Sequence, residues 1–259
     1  MNVYVCYTPS HKQMYWRYFQ PSLCFDTSLV VKELPKIGDG KYKNELWCEA
    51  TKKKLEIILE IINARIDDIF IFSDVDVQFF GPLTDLVTHH IYNNDIVTQK
   101  DPSKDHDVMY CTGFMAIRIC PRMREFFENV LALMEENPEL DDQDAFNEVA
   151  RISDIRINTF DDKAVWSHRK MWKPNDGQEL EVPDDIIVHH ANWVYSIEHK
   201  AAQLEEAINI YRKRFGNKFL MNRIKDFRDR EIVEIEEVKT VVDETIVELD
   251  REPYGTMTI

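Results

Sequence analysis

The sequence predicts an α/β protein with a mainly parallel central sheet flanked by helices. Three observations support this prediction: continuous apolar strands, helices with one apolar face between them, and acidic residues directly after one strand. Strands of a parallel sheet are covered on both faces and are therefore apolar throughout, whereas the connecting helices show a three- and four-residue repeat. With 259 residues and 44% hydrophobic content, the chain is long enough to bury one large core.

The first part of the chain alternates strands and helices. Residues 3–7 form the first predicted strand, which ends at Thr8 in a turn where a nucleotide base could rest. An aromatic-rich helix is predicted over residues 11–24, and a second strand over residues 28–34. Over residues 44–66, apolar side chains recur at three- and four-residue intervals, which predicts a helix with one buried face.

The third predicted strand, residues 69–72, is apolar throughout and is followed by Asp74 and Asp76. The order strand, helix, strand, helix, strand implies right-handed crossovers and functional sites at the carboxyl ends of the strands. Two carboxylates this close are costly to bury unless they face a cleft and a cation lies between them. Hard divalent ions prefer oxygen ligands, so this strand end is a predicted metal site.

The alternation continues in the second half of the chain. A short helix is predicted over residues 83–89, strands over 95–100 and 108–118, and a helix over 121–137. Thr112-Gly113 interrupts the last of these strands, and a glycine inside a strand marks a bulge or a close approach to the backbone, here by a substrate.

The remaining predicted elements are shorter. Residues 140–147 begin a helix with three carboxylates in its first turn, where they suit the positive helix end. Strands are predicted over residues 154–160 and 185–193, separated by an irregular loop over 166–177, and a final helix over 199–215.

Charge and cysteine content restrict the partners and the compartment. The chain has 47 acidic and 32 basic residues, a net charge of -15, whereas a nucleic-acid-binding protein needs a basic face. Five cysteines without a C-x-x-C pair predict reduced, buried thiols and a cytoplasmic location. The first residues already predict a core strand rather than a signal peptide, and no stretch is long and apolar enough to span a bilayer.

Four short motifs occur in order along the chain, each at a predicted strand end or helix start. They are Phe-Ser-Asp74-Val-Asp76-Val, Cys-Thr112-Gly113-Phe-Met-Ala-Ile-Arg, Asp142-Gln143-Asp-Ala-Phe-Asn147, and His190-Ala-Asn192 followed by Lys200. In this order they resemble the motifs of nucleotide-diphospho-sugar transferases. Over residues 1–215, the chain resembles the GT-A glycosyltransferases of the family that includes plant arabinosyl- and xylosyltransferases. This resemblance implies a GT-A, Rossmann-like fold.

The resemblance implies a metal centre built from the first and last motifs. Asp74 and Asp76 would hold Mn²⁺, with Mg²⁺ as the other candidate, and His190 would complete the metal shell. The metal would neutralise the leaving diphosphate, and Lys200 would add a positive charge to the same phosphates.

The resemblance also implies roles around the donor. Thr112, Gly113 and Asn192 would bind the nucleotide-sugar together with Asp74 and Lys200. Asp142 and Gln143 would be the catalytic pair near the donor sugar, where a carboxylate stabilises an oxocarbenium-like transition state or positions the acceptor hydroxyl.

The chain divides by composition into two parts. We predict a GT-A domain over residues 1–225 and an acidic extension over residues 226–259. Between Asp226 and Glu252 there are eleven acidic and four basic residues, a net charge of -7. The extension is interpreted as a β-hairpin, a strand pair added to a partner, or a tail, and it is a candidate homodimer interface.

The predicted function is that of a Mn²⁺-dependent hexosyl- or pentosyltransferase. The enzyme would move a sugar from a UDP-sugar to an acceptor hydroxyl on a glycan or glycoprotein. The resembled family retains configuration at the sugar, but no carboxylate is identifiable as a base, so inversion stays open. Two alternatives also stay open: a D-x-D phosphatase or phosphotransferase, which would favour Thr or Val at Gln78, and a nucleotide-sugar-binding protein without turnover.

Overall fold

The structure, a computed structural model, describes residues 1–24, 26–37, 46–101, 109–216 and 232–234. The strands in these ranges are β1 (Asn2–Tyr7), β2 (Ser28–Glu33), β3 (Ile69–Ser73), β4 (Val77–Phe79), β5 (Ile96–Lys100), β6 (Tyr110–Arg118), β7 (Ile157–Thr159), β8 (Val165–Trp166), β9 (Val188–His190) and β10 (Ile232–Glu234). The helices are α1 over residues 9–22, α2 (Trp47–Ala64), α3 (Thr84–Ile91), α4 (Pro121–Glu136), α5 (Asp142–Ile152) and α6 (Ile197–Phe215). The predicted α/β class is confirmed.

The main sheet has the strand order β10-β2-β1-β3-β6-β5-β7. Neighbouring strands are parallel except at β6, which is antiparallel to both β3 and β5. The prediction of a mainly parallel sheet is therefore confirmed, with β6 as the exception. Because β6 runs against its neighbours, its amino-terminal half lies beside the carboxyl end of β3, where a parallel sheet places its functional sites.

Both faces of the main sheet are covered by apolar packing. In β3, Phe70 and Phe72 pack into the cluster that contains Leu55 and Ile58 of α2, whereas Ile71 packs into the cluster on the other face. Side chains alternate between the faces of a strand, so a strand buried on both faces must be apolar at every position. This packing explains the uninterrupted apolar run that precedes the acidic motif.

A second, three-stranded sheet with the order β4-β9-β8 lies beside the main one. In it, β4 pairs antiparallel with β9, which places Val77 opposite His190. Neither β4 nor β8 was predicted, because strands of two or three residues are too short to show a periodicity. Trp166, which was predicted to begin a loop, is the last residue of β8. This small sheet brings the late histidine back to the acidic motif.

The helix after β1 is irregular. It runs from a 3-10 turn (Pro9–His11) through a short α-helical turn (Lys12–Met14) into a π-helical segment (Tyr15–Phe19), and it ends in a second α-helical turn (Gln20–Ser22). Short π-helical segments occur frequently near functional sites, and this one follows the loop at the carboxyl end of β1.

The strands predicted over residues 154–160 and 185–193 are more than twice as long as the observed β7 and β9. Before β7, the backbone N–H of Arg156 donates to the Asp95 carboxylate instead of to a strand, so β7 begins only at Ile157. After β9, the N–H of Asn192 donates to the carbonyl of His190, which turns the chain away from the sheet. The predicted burial of the thiols is also partly wrong: the five cysteines are free, but only Cys111 is buried and the others are half-buried.

Several predictions concern residues outside the described ranges, namely the start of the helix at 44–45, the strand start at 108 and most of the extension from 226. Within the extension, β10 pairs with β2 in parallel at the edge of the main sheet. None of the helices in the described part of the chain combines the length and the apolar character of a membrane span.

Candidate metal and donor site

Asp74, Asp76 and His190 meet at the carboxyl end of β3. Asp74 follows β3 directly, and its N–H donates to the carbonyl of Gly113 at 2.8 Å. Asp76 comes just before β4, and the β4–β9 pairing brings His190 beside it. One ligand atom from each residue lies within 4.8 Å of the others. The three residues proposed as metal ligands are therefore brought together by strand pairing.

Asp76 is the electrostatic centre of this cluster. Its Oδ2 lies 2.5 Å from the Lys200 Nζ, and its Oδ1 lies 3.4 Å from the His190 Nε2. Burial opposes ionisation of Asp76, but the Lys200 ammonium and the His190 imidazole hold its pKa well below the usual range. Burial alone would lower the pKa of His190, and the Asp76 carboxylate raises it to about 10. Asp76 is thus a charged carboxylate surrounded by positive partners.

The residues present fit a divalent cation. Two carboxylates and one imidazole form a mixed oxygen and nitrogen ligand set, and carboxylates suit Mg²⁺ and Mn²⁺. The Asp74 side chain is 34% exposed, so one side of the cluster is open, while Asp76 and His190 are buried. The ring of His190 lies against Gly113, where an added Cβ would collide with it. Glycine at this position therefore makes room for His190.

The predicted interruption at Thr112-Gly113 is present in β6. The register between β5 and β6 shifts here: Thr98 pairs with Met115, but the next residue, Gln99, pairs with Cys111. The close neighbour of the Gly113 backbone in the structure is the imidazole of His190. Contact of this backbone with the donor sugar stays a prediction.

Lys54 of α2 belongs to the site but was not predicted from the sequence. It is 6% exposed, and its Nζ lies 3.0 Å from Asp74 Oδ1 and 2.6 Å from Asp142 Oδ2. Burial alone would lower the pKa of Lys54, but Asp142 and Asp74 raise it above its ordinary value. Its position could have indicated this role, because Lys54 lies four residues before Ile58 on the apolar face of α2, and a buried lysine needs a charged partner.

Asp142 does not cap its own helix. The cap of α5 is Asp141, whose side chain accepts a hydrogen bond from the N–H of Asp144 at 2.9 Å. Asp142 instead accepts a hydrogen bond of 2.6 Å from the Thr112 hydroxyl and pairs with Lys54. The carboxylates of Asp74 and Asp142 are therefore bridged by one buried ammonium.

The other predicted site residues lie around this network. Gln143 donates from its Nε2 to the Asp101 carboxylate at 2.6 Å. Thr8 follows β1, and its hydroxyl lies 2.8 Å from that of Ser10. The Asn192 side chain accepts a hydrogen bond from the N–H of Trp193 and stabilises the turn after β9. Donor contacts of Thr8, Asn192 and Lys200 stay predictions.

His11 is a further residue beside the site that was not singled out from the sequence. The Ser10 hydroxyl lies 2.9 Å from its Nδ1. Burial and the nearby Lys200 ammonium lower the pKa of His11 to about 4, against the effect of Asp76. The first turn of α1 therefore presents a neutral imidazole near the cations of the cluster.

The sequence profile of the nucleotide-diphospho-sugar transferases matches residues 11–204. The chain belongs to this family, and its fold is that of the GT-A glycosyltransferases. A comparison with curated protein sequences gives no match.

Among solved structures, the chain is similar to a glycosyltransferase involved in the glycosylation of the major capsid of PBCV-1. The identity is 14%, the match covers 79% of this chain and 98% of that one, and the TM-score is 0.54. The bifunctional glycosyltransferase WbbM matches with 12% identity over 82% of this chain and 51% of its own, with a TM-score of 0.52. The glycosyltransferase GlyE of Streptococcus pneumoniae TIGR4 matches with 10% identity over 99% and 65%, with a TM-score of 0.50.

Proposed function

We propose that the protein is a divalent-metal-dependent glycosyltransferase that moves a sugar from a nucleoside-diphosphate donor to an acceptor hydroxyl. The observation that carries this proposal is the convergence of Asp74, Asp76 and His190 within 4.8 Å at the end of β3. We propose Mn²⁺ as the metal, because the ligand set includes an imidazole beside the carboxylates, with Mg²⁺ as the second candidate. UDP is the proposed carrier, on the resemblance described above.

A divalent ion at this position would supply Lewis-acid stabilisation of the leaving diphosphate. The chain adds its own positive charge there, since the Lys200 ammonium lies beside Asp76 at the start of α6. An ammonium is a compact point charge that suits phosphate oxygens. We assign Lys200 to the diphosphate on this basis.

We assign Asp142 and Gln143 to the donor sugar. Lys54 and Thr112 both contact the Oδ2 of Asp142, so the position of this carboxylate is set before substrate arrives. A preorganised negative charge in a buried site stabilises positive charge that develops at the anomeric carbon.

The acceptor and the domain organisation complete the proposal. We propose a hydroxyl of a glycan or glycoprotein as the acceptor and either a hexose or a pentose as the transferred sugar. We also propose the boundary between residues 225 and 226; the family match, over residues 11–204, lies entirely before it. The extension remains the proposed dimer interface.

A thermal-shift titration tests this function. UDP, GDP, ADP and CDP are each added with Mn²⁺ and, separately, with EDTA, since a ligand that binds only the folded state raises Tm. We expect one nucleotide, UDP, to raise Tm with Mn²⁺ and to lose its effect in EDTA. At a concentration of 100 Kd, such binding stabilises the folded state by about 2.7 kcal/mol. Absence of a shift with every nucleotide would contradict the proposal.

A hydrolysis assay with a generic aryl phosphate separates this proposal from the phosphatase alternative. A phosphatase that uses an aspartate nucleophile should release phosphate from such a substrate. We expect no release from the wild-type chain in the presence of Mn²⁺ or Mg²⁺. Release that disappears in an Asp74→Asn variant would favour the phosphatase instead.

A further inference from the structure

Two consecutive histidines of β9 are each contacted by a buried glutamine. His189 and His190 point to opposite faces of their strand, as consecutive strand residues do. Gln78 of β4 places its Nε2 2.9 Å from His189 Nδ1. Gln99 of β5 places its Oε1 2.8 Å from His190 Nδ1. Both contacts join a glutamine to a histidine, but Gln78 uses its amide nitrogen and Gln99 uses its amide oxygen.

The amide of Gln78 is oriented by a second contact. Its Nε2 also donates to the carbonyl of Leu204 at 3.0 Å, so the nitrogen side of the amide faces both partners. An amide nitrogen can only donate, and His189 Nδ1 must therefore accept. His189 carries its hydrogen on Nε2 and is a neutral structural residue, consistent with its complete burial.

The amide of Gln99 imposes the opposite arrangement on His190. A carbonyl oxygen can only accept, so Nδ1 of His190 carries a hydrogen. The Cys111 Sγ lies 3.8 Å from the same nitrogen and is also a weak acceptor. The other ring nitrogen, Nε2, lies 3.4 Å from Asp76 Oδ1, inside the acidic cluster. Nε2 is therefore the ring nitrogen that faces the acidic cluster.

The local backbone geometry of β5 directs the side chain of Gln99 toward His190. The register between β5 and β6 shifts between Thr98 and Gln99, and such an irregularity redirects a side chain. Gln99 is 1% exposed, and its Nε2 has no hydrogen-bond partner among the described residues. A buried amide nitrogen without a hydrogen-bond partner is unfavourable, so packing alone does not explain a glutamine at this position. The contact of its carbonyl with His190 provides one.

We propose that Gln99 is a positioning residue of the metal centre. Its carbonyl holds a hydrogen on Nδ1 of His190 and thereby leaves Nε2 to ligate the metal ion that Asp74 and Asp76 would also hold. This inference rests on the proposed function, because it takes His190 as a metal ligand. Loss of a residue that orients a ligating histidine in this way typically weakens metal binding by about 10–100-fold.

The test is a Mn²⁺ titration of the full chain, with free Mn²⁺ measured by electron paramagnetic resonance. We expect Gln99→Leu to weaken Mn²⁺ binding by about 10–100-fold. Gln99→Glu should bind Mn²⁺ at least as tightly as wild type, because its carboxylate accepts the same hydrogen and raises the basicity of the imidazole. The matched control is Gln78→Leu, which removes the equivalent contact from His189 and should leave Mn²⁺ affinity unchanged. Urea unfolding confirms that each variant is folded, and Gln99→Met replaces Gln99→Leu if the latter does not fold.

Three results would overturn the inference, and they are distinguishable. Wild-type affinity in Gln99→Leu would show that Gln99 does not position His190, while leaving the proposed function intact. Equal losses in Gln99→Leu, Gln99→Glu and Gln78→Leu would indicate a general packing defect instead. A wild-type chain that binds no Mn²⁺, with or without UDP, would overturn the proposed metal centre and this role of Gln99 with it.

Discussion

Replacement of Lys54 by methionine probes the buried charge network that joins α2 to the site. Methionine keeps most of the side-chain length but removes the ammonium from between Asp74 and Asp142, which lie 3.0 and 2.6 Å away. Removal of one partner of a buried ion pair costs about 3–5 kcal/mol, because the other charge stays buried without compensation. We therefore expect the free energy of unfolding to fall by this amount. The free energy of unfolding of a typical domain is about 5–15 kcal/mol, so this loss would be a large part of it.

The matched control lies on the same helix. Lys52 pairs with Glu135 at 2.8 Å, but both side chains are substantially exposed, and exposed pairs contribute about 0–1 kcal/mol. We expect Lys52→Met to change the free energy of unfolding only within that range. The measurement is urea unfolding followed by circular dichroism, in EDTA so that no metal replaces the lost charge.

A double-mutant cycle tests whether Asp142 is the ion-pair partner of Lys54. Asp142→Asn alone leaves Lys54 beside Asp74, whereas the double variant Lys54→Met with Asp142→Asn removes both members of the shorter pair. Residues in one charge network couple by about 0.5–3 kcal/mol, so the double variant should lose less stability than the sum of the single losses. Additive losses, or a Lys54→Met loss no larger than that of Lys52→Met, would refute the assigned network.

Three further predictions concern other parts of the molecule. Gly113→Ala should weaken Mn²⁺ binding in an electron paramagnetic resonance titration, because its Cβ would push the ring of His190 out of place, and unchanged affinity would contradict the cluster geometry. Hydrogen bonds from Arg156 hold the pKa of Asp95 below its usual value, so this stabilisation is present above about pH 3.9 and is lost as the pH falls through the lower folded-state pKa. Asp95→Asn should therefore lower the free energy of unfolding by about 1.5–3 kcal/mol at pH 7 and by less in acid, and an equal loss at both pH values would contradict this assignment. Removal of residues 226–259 should leave Mn²⁺-dependent UDP binding intact in a thermal-shift assay; loss of binding by a folded truncated chain would contradict the proposed domain boundary.

The main sheet and the acidic motif could be predicted because they follow from local sequence patterns. The run from Ile69 to Phe72 is apolar at every position because β3 is buried on both faces. Asp74, which follows β3, marks the carboxyl end of this strand. The helix α2 was predictable because its buried side chains repeat with the helical period. Each of these features depends only on residues that are close together in the chain.

The rest of the site depends on contacts between distant segments. Lys54 lies among apolar residues of α2, and only the folded chain reveals that Asp74 and Asp142 meet its ammonium. Gln99 faces His190 because of a register shift between β5 and β6, which no local pattern encodes. The three-residue strand β4 aligns His190 with the acidic motif but is too short to be predicted. Sequence alone could therefore identify the three proposed ligands but not the residues that contact them.

Calorimetric titration of UDP into the wild-type chain and into Asp76→Asn, each with Mn²⁺ and with EDTA, tests the proposed metal and nucleotide site most directly. Asp68→Asn is the matched control, because Asp68 is exposed at the opposite end of the same strand. We expect UDP to bind the wild-type and Asp68→Asn chains with Mn²⁺, and to bind neither in EDTA. We also expect no binding to a folded Asp76→Asn chain under either condition. Equally tight binding of UDP to wild type and Asp76→Asn in EDTA would contradict a metal-dependent donor site at the end of β3.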